Sequence, residues 1–159
     1  MGNGYLIKCT KCNYMFKAML GIGMMYPMVY NETVADIRDG KYGEEYKKFF
    51  EKHNNATVNC EAKVAVCAEC GKLETVMDLS LYLPKDDEEM VYIYDDYMTP
   101  NQLKRNFKKC MTYNHQCSSC GGKMKNINLL SRLEKGTLKC PDCGEKLEMD
   151  EDSLFMLWD

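Results

Sequence analysis

The chain has 159 residues and a formal net charge of −3, and 45% of it is apolar, with eleven tyrosines, five phenylalanines and one tryptophan available for a core. Intrinsic disorder, collagen-like structure and a long coiled coil are excluded, and the length suits one domain or two small ones. Ten residues are cysteine, several times ordinary usage.

The N-terminus carries no basic patch leading into an apolar run, so no secretory signal is expected. The longest apolar stretch, Met15 to Tyr30, is too short to cross a bilayer and is interrupted by Lys17, Gly21, Gly23 and Pro27. The expectation is a cytoplasmic protein with no membrane segment. Tyr5 to Cys9 reads as a short strand. Gly21-Ile22-Gly23 lacks the Lys-Ser or Lys-Thr of a phosphate loop and reads as a structural turn, and the methionines Met24, Met25 and Met28 are expected to fill gaps in the core. Asn31 caps a predicted helix over 32–39 that stops at Gly40. Residues 43–53 predict an amphipathic helix with the stripe Tyr46, Phe49, Phe50 and His53.

Over 57–66 the even positions Val58, Cys60, Ala62, Val64 and Val66 are apolar, which predicts a half-buried strand with Cys60 on its core face. Leu73 to Leu83 alternate in a long strand ending at Pro84. Residues 84–100 form an acidic linker or hairpin containing Asp86-Asp87-Glu88-Glu89 and a short strand from Val91 to Tyr94. Thr99, Pro100 and Gln102 supply the N-cap, first position and capping box of a helix over 100–110, whose stripe Leu103, Phe107 and Cys110 places Cys110 in the core. Leu154 to Trp158 is expected to dock as a final strand.

Eight cysteines form four Cys-x-x-Cys pairs: Cys9 with Cys12, Cys67 with Cys70, Cys117 with Cys120, and Cys140 with Cys143. Two intervening residues let a tight turn aim both thiolates at one ion, with backbone N–H groups stabilising the sulfur charge. The next residue is Asn13, Gly71, Gly121 or Gly144, types that tolerate the left-handed backbone such a turn requires. A disulfide framework has no reason to repeat this gap. Eight sulfurs make two closed tetrahedral sites, which are structural rather than catalytic. Cys60 and Cys110 are left as inert buried thiols, and His115 as a solvated or hydrogen-bonded side chain near Cys117. The four pairs can combine in three ways. Sequential pairing is expected, because nineteen residues separate Cys120 from Cys140, leaving Cys9, Cys12, Cys67 and Cys70 as site 1 and Cys117, Cys120, Cys140 and Cys143 as site 2. Nested and crossed pairings are the alternatives.

On these motifs the chain resembles the zinc-ribbon group. The segment Cys117-Ser118-Ser119-Cys120-Gly121-Gly122 through Cys140-Pro141-Asp142-Cys143-Gly144 resembles one complete ribbon, and Tyr5 to Tyr14 with Val64 to Leu73 a second, split by an insertion. The first half, including Leu20-Gly21-Ile22-Gly23-Met24-Met25-Tyr26-Pro27, is also similar to uncharacterised bacterial zinc-ribbon proteins, a resemblance that brings no known activity with it. The turn at Cys140 to Gly144 resembles that of rubredoxins, which implies iron at one site as the alternative to two Zn2+. The fold class expected is α+β, with two zinc-ribbon units on small antiparallel sheets. Residues 1–83 form the first, with a helical insertion at about 24–56; 84–100 form the acidic linker; 101–159 hold a basic helix, the second ribbon and the terminal strand.

Charge is segregated along the chain. Residues 101–147 carry 10 basic and 3 acidic groups, a balance of +7, and are flanked by segments of −5 on each side. Lys104, Arg105, Lys108, Lys109, Lys123, Lys125 and Arg132 are the candidate nucleic-acid contacts in that segment. No triad, paired acids or open metal site assembles from the sequence. The leading expectation is a non-enzymatic adaptor with a protein partner, the first alternative a nucleic-acid-binding ribbon protein, and the third a thiol-redox or iron-thiolate electron carrier.

Overall fold

A computed structural model describes residues 2–85 and 98–158, with only the backbone described over 151–158. The chain forms β1 (Gly2–Cys9), β2 (Met15–Leu20), α1 (Tyr26–Arg38), α2 (Glu44–Lys52), β3 (Thr57–Val58), β4 (Ala62–Cys67), β5 (Leu73–Met77), β6 (Leu81–Pro84), α3 (Pro100–Asn106), β7 (Phe107–Met111), β8 (Met124–Ile127), α4 (Leu129–Glu134) and β9 (Leu147–Trp158). This is an α+β fold with three small antiparallel sheets. Two compact units are interleaved along the sequence: unit 1 takes residues 1–23, 62–77 and 114–159, and unit 2 takes 24–61 and 78–113.

Unit 1 holds two of the sheets, in the strand orders β2-β1-β9 and β5-β4-β8. In β1, Tyr5, Ile7 and Cys9 alternate toward the core while Lys8 faces water. Central strand β4 buries both faces: Val64 and Val66 enter the main core, and Ala65 and Cys67 pack with Cys117 and Met124 on the other side. The main core joins both sheets, since Ile7, Ala18 and Leu147 of one belong to the same packed cluster as Val64 and Leu73 of the other, together with Leu129 and Leu133 of α4 and Leu138. β2 adds direct links: Met19 N donates to Thr75 Oγ1 (3.3 Å), and Gly21 and Ala62 exchange backbone hydrogen bonds of 3.0 and 2.9 Å.

Unit 2 holds α1, α2, α3 and the sheet β3-β6-β7. α1 begins at Tyr26, earlier than expected, because Pro27 occupies an opening position where its fixed φ suits a helix and its missing N–H costs nothing. α2 runs close to expectation, with Glu44 and Glu45 in its positive first turn. The Thr99 capping box on α3 is present in full. Buried tyrosines tie the unit together: Tyr26 OH donates to Met98 O (3.2 Å), Tyr46 OH donates to Leu79 O (2.9 Å), and the Tyr30 and Thr57 hydroxyls bond at 3.0 Å.

Several expectations are corrected. The helix over 100–110 stops at Asn106, and the chain turns extended at Phe107 to enter β7. Phe107 stays buried, so the apolar spacing that suggested a longer helix is satisfied by a strand instead. Tyr82 pairs with Lys109 and Leu81 with Met111, so Cys110 is the extra residue of a bulge; it is exposed, not core. The predicted strands over 57–66 and 73–83 are each interrupted. Asn59 Oδ1 accepts from Glu61 N, and Asp78 Oδ1 accepts from Ser80 N, both at 3.0 Å, while Leu79 adopts a left-handed φ of 53°. Met24, Met25 and Met28 are exposed rather than core-filling, since the helix start buries Tyr26 in their place. The final strand is longer than expected and pairs with β1 from Cys9↔Leu147 to Gly2↔Trp158, with register shifts on either side of Tyr5. The two units divide the chain differently from the expected 1–83 and 101–159, because β1 recruits the last strand and β4 recruits β8. The acidic run from Asp86 to Glu89 and the short strand expected from Val91 to Tyr94 lie outside the described residues.

Candidate metal centres

Each of the four Cys-x-x-Cys segments is closed in the same way. The N–H of the first cysteine donates to the carbonyl five residues on: Cys9 to Tyr14 (3.0 Å), Cys67 to Lys72 (2.9 Å), Cys117 to Gly122 (2.8 Å) and Cys140 to Glu145 (2.7 Å). Gly71, Gly121 and Gly144 exit three of the turns at φ of 74°, 71° and 75° and donate back to the carbonyl of the first cysteine. Asn13 departs from expectation, since Leu79 alone among the described non-glycine residues has positive φ.

The eight sulfurs gather into two groups, Cys9, Cys12, Cys140 and Cys143, and Cys67, Cys70, Cys117 and Cys120, with the ligand atoms of each group within 4.8 Å of one another. The pairing is therefore nested, and the sequential sites expected from spacing are not formed. Strand pairing decides this. β8 leaves the third knuckle and pairs with β4, which carries Cys67; β9 leaves the fourth and pairs with β1, which carries Cys9.

The two clusters repeat one arrangement. Cys9 stands opposite Leu147 and Cys67 opposite Met124, each partner lying four residues beyond the last cysteine of its cluster. Thr10 N donates to Lys146 O, and Ala68 N donates to Lys123 O. Isolated bridges Lys139↔Lys146 and Gln116↔Lys123 occupy equivalent places.

Sulfur separations include 3.5 Å for Cys9–Cys143 and 3.6 Å for Cys12–Cys140 in cluster 1, and 3.4 Å for Cys67–Cys120, 3.7 Å for Cys70–Cys117 and 3.5 Å for Cys70–Cys120 in cluster 2. A tetrahedron with metal–sulfur bonds of about 2.3 Å has edges of about 3.8 Å. Both clusters are thus capable of holding a divalent metal with little further contraction or expansion.

Backbone donors prepare one thiolate in each. Hydrogen bonds from the N–H groups of Lys11 (3.4 Å) and Cys12 (3.5 Å) bring Cys9 down to about 6, and those from Cys70 (3.5 Å) and Glu69 (3.4 Å) bring Cys67 down to about 7. Cys12 is pushed up to about 12 against the pull of the Tyr14 N–H, because burial and the neighbouring sulfurs disfavour a second negative charge. Cys120 rises to about 12 against the Gly122 N–H for the same reasons. A cation is what would let all four sulfurs ionise together.

Around cluster 2 lies a polar network that spacing alone did not reveal. Glu74 accepts from Ser118 N (3.0 Å) and Ser118 Oγ (2.7 Å), and Lys72 Nζ donates to Ser118 Oγ and Ser119 Oγ, both at 2.8 Å. The serines of Cys117-Ser118-Ser119-Cys120 were its only sequence signal. His115 is hydrogen-bonded to Met77 O through Nε2 (2.7 Å) and belongs to neither cluster. Cys60 is buried as expected, and burial pushes its thiol up to about 11.

The candidate nucleic-acid contacts are all exposed but fall in different units. Lys104 and Arg105 lie on α3 and Lys108 and Lys109 on β7 in unit 2, while Lys123, Lys125 and Arg132 belong to unit 1. Asp150 pairs with Lys8 (3.0 Å) and Glu148 with Lys146 (3.1 Å), all within unit 1. Among the described residues, no helix is long and apolar enough to cross a membrane.

Comparisons with protein-family models, curated proteins and solved structures return no match for this chain.

Proposed function

We propose that this is a non-enzymatic zinc protein of the zinc-ribbon kind, in which two Zn2+ ions hold unit 1 together as a scaffold for a protein partner. The repeated four-cysteine arrangement carries the reading. Thiolate sets of this kind are commonly filled by zinc, and a closed tetrahedron leaves no coordination position for substrate or water. Zinc binding at such a site contributes on the order of 10 kcal/mol toward folding, which a unit of small sheets needs. The test is elemental analysis followed by chelation. Two zinc equivalents per chain, and loss of the unit 1 fold on their removal, are expected. A purified protein without zinc, one showing iron–thiolate absorption, or one that stays folded after complete chelation overturns the reading.

A second reading, nucleic-acid binding, is favoured by the four cations of α3 and β7. All are exposed, and among the described residues none makes an ion pair. This reading rests on Lys104, Arg105, Lys108 and Lys109, which belong together to unit 2.

A further inference from the structure

The two clusters share a geometry but differ in what covers their sulfurs. In cluster 2 the second cysteine of each knuckle, Cys70 and Cys120, is exposed, and their sulfurs lie 3.5 Å apart, while Cys67 and Cys117 are buried. In cluster 1 only Cys143 is exposed; Cys12, the counterpart of Cys70, is half-buried and packs against the main core, while the Cys9–Cys143 contact of 3.5 Å has its equivalent in Cys67–Cys120 at 3.4 Å. The residue that closes the first knuckle differs in the same sense. Tyr14 is a half-buried aromatic packed against the core of cluster 1, whereas the equivalent Lys72 places an ammonium on the two serines between Cys117 and Cys120. Lys72 is also paired with Glu74 at 3.5 Å, so it is the exposure of Cys70 and Cys120 that opens cluster 2 to oxidants.

Resting on the two-zinc reading, we propose that cluster 2 is an oxidant-sensitive site, in which a hydroperoxide joins Cys70 to Cys120 and releases one zinc while cluster 1 keeps its own. The exposed Cys120 thiolate attacks one peroxide oxygen; the O–O bond breaks, leaving a sulfenic acid and, for hydrogen peroxide, hydroxide. The Cys70 thiolate then attacks that sulfur, the S–S bond forms and the sulfenic oxygen leaves as hydroxide. Two thiolates lose two electrons, and with two protons the peroxide becomes two waters. The sulfurs need to close from 3.5 Å to about 2.05 Å. Zinc left on Cys67 and Cys117 alone has lost half its ligands and departs. The new bond still ties the β4–β5 hairpin to the knuckle before β8, so the change is reversible by thiol reductant and zinc.

The experiment treats the zinc-loaded full chain with limiting hydrogen peroxide, following zinc with a chromophoric chelator and cysteine state by differential alkylation and mass spectrometry. Release of one of two zinc equivalents, together with a Cys70–Cys120 disulfide, is expected, and reductant plus zinc restores the original content. Lys72→Tyr, which keeps all eight sulfurs, is expected to slow the release several-fold. Simultaneous loss of both ions, a first disulfide in cluster 1, resistance of both clusters, or a Lys72→Tyr protein that releases zinc at the same rate overturns the proposal. Zinc content before oxidant separates the two readings: absence of zinc overturns the metal assignment, whereas two equivalents with unselective release overturn only this inference.

Discussion

Gly122 of the third knuckle closes directly over Cys67 of the second. A Cβ at position 122 would stand 3.1 Å from the Cys67 sulfur and 2.6 Å from Cγ of Glu69. The second glycine of Cys-Gly-Gly is therefore a packing requirement of the nested pairing. Its neighbour Gly121 has open space around it but a φ of 71°, so its role is conformational.

Gly122→Ala is expected to cost about 1–3 kcal/mol through overpacking at cluster 2. Zinc titration of the variant should show one weakened site and one of native affinity. Gly121→Ala, limited to left-handed strain of about 1–2 kcal/mol, should keep both sites filled. Equal weakening of the two sites by Gly122→Ala contradicts the assignment.

The core shared by the two sheets makes a second prediction. Leu129 is almost fully buried on α4 and belongs to the same packed cluster as Ile7, Val64, Cys9 and Cys140. Leu129→Ala is expected to destabilise unit 1 by about 2–5 kcal/mol. Zinc release followed during heating should then shift to lower temperature for both ions together. A shift confined to one ion means that the sheets are independent.

Cys60 and Cys110 should behave in opposite ways. The bulge exposes Cys110, so alkylation of the zinc-loaded protein should modify it first and reach Cys60 only in denaturant. Cys60 also sets a pH dependence. Burial raises it from 9.0 to about 11, so the folded state keeps a proton that the unfolded chain gives up. Its contribution, about 3 kcal/mol from the difference in proton affinity, is full below the ordinary thiol value and lost as pH rises through about 11. Urea midpoints of unit 2 should fall across that window, and Cys60→Ala should flatten part of the fall. An unchanged slope in the variant counts against the buried thiol as its source.

For the basic surface, a titration with short DNA or RNA at low salt is decisive. If α3 and β7 bind it, affinity should drop steeply as salt rises, and neutralising Lys104, Arg105, Lys108 and Lys109 should remove up to four units of the logarithmic salt slope. A flat titration at low salt removes the nucleic-acid reading.

Turn chemistry was local and therefore legible. The four knuckles, the Thr99 capping box, the Gly40 helix stop and the burial of Cys60 all follow from residues within a few positions of one another. Pairing was not local. Closing the nested spans, 134 residues from Cys9 to Cys143 and 53 from Cys67 to Cys120, costs only about 1 kcal/mol more in chain entropy than closing the sequential spans of 61 from Cys9 to Cys70 and 26 from Cys117 to Cys143. That difference is too small to oppose strand pairing, so cysteine spacing could not choose the partners. Phe107 shows the same limit at smaller scale, because its spacing from Leu103 fits a helix face and its burial is met equally well from a strand.

The nesting also has a consequence for how the protein is made. Translation runs from the N-terminus, so Cys67, Cys70, Cys117 and Cys120 are all present before Cys140 and Cys143 have been added. The inner cluster can fill and fold while the outer one still lacks half its ligands. Cys9 and Cys12 emerge first yet wait longest, with 128 positions separating Cys12 from its partner Cys140. A cell making this chain must keep that early pair reduced, and away from Cys67 and Cys70, until β9 arrives to seat the fourth knuckle beside it.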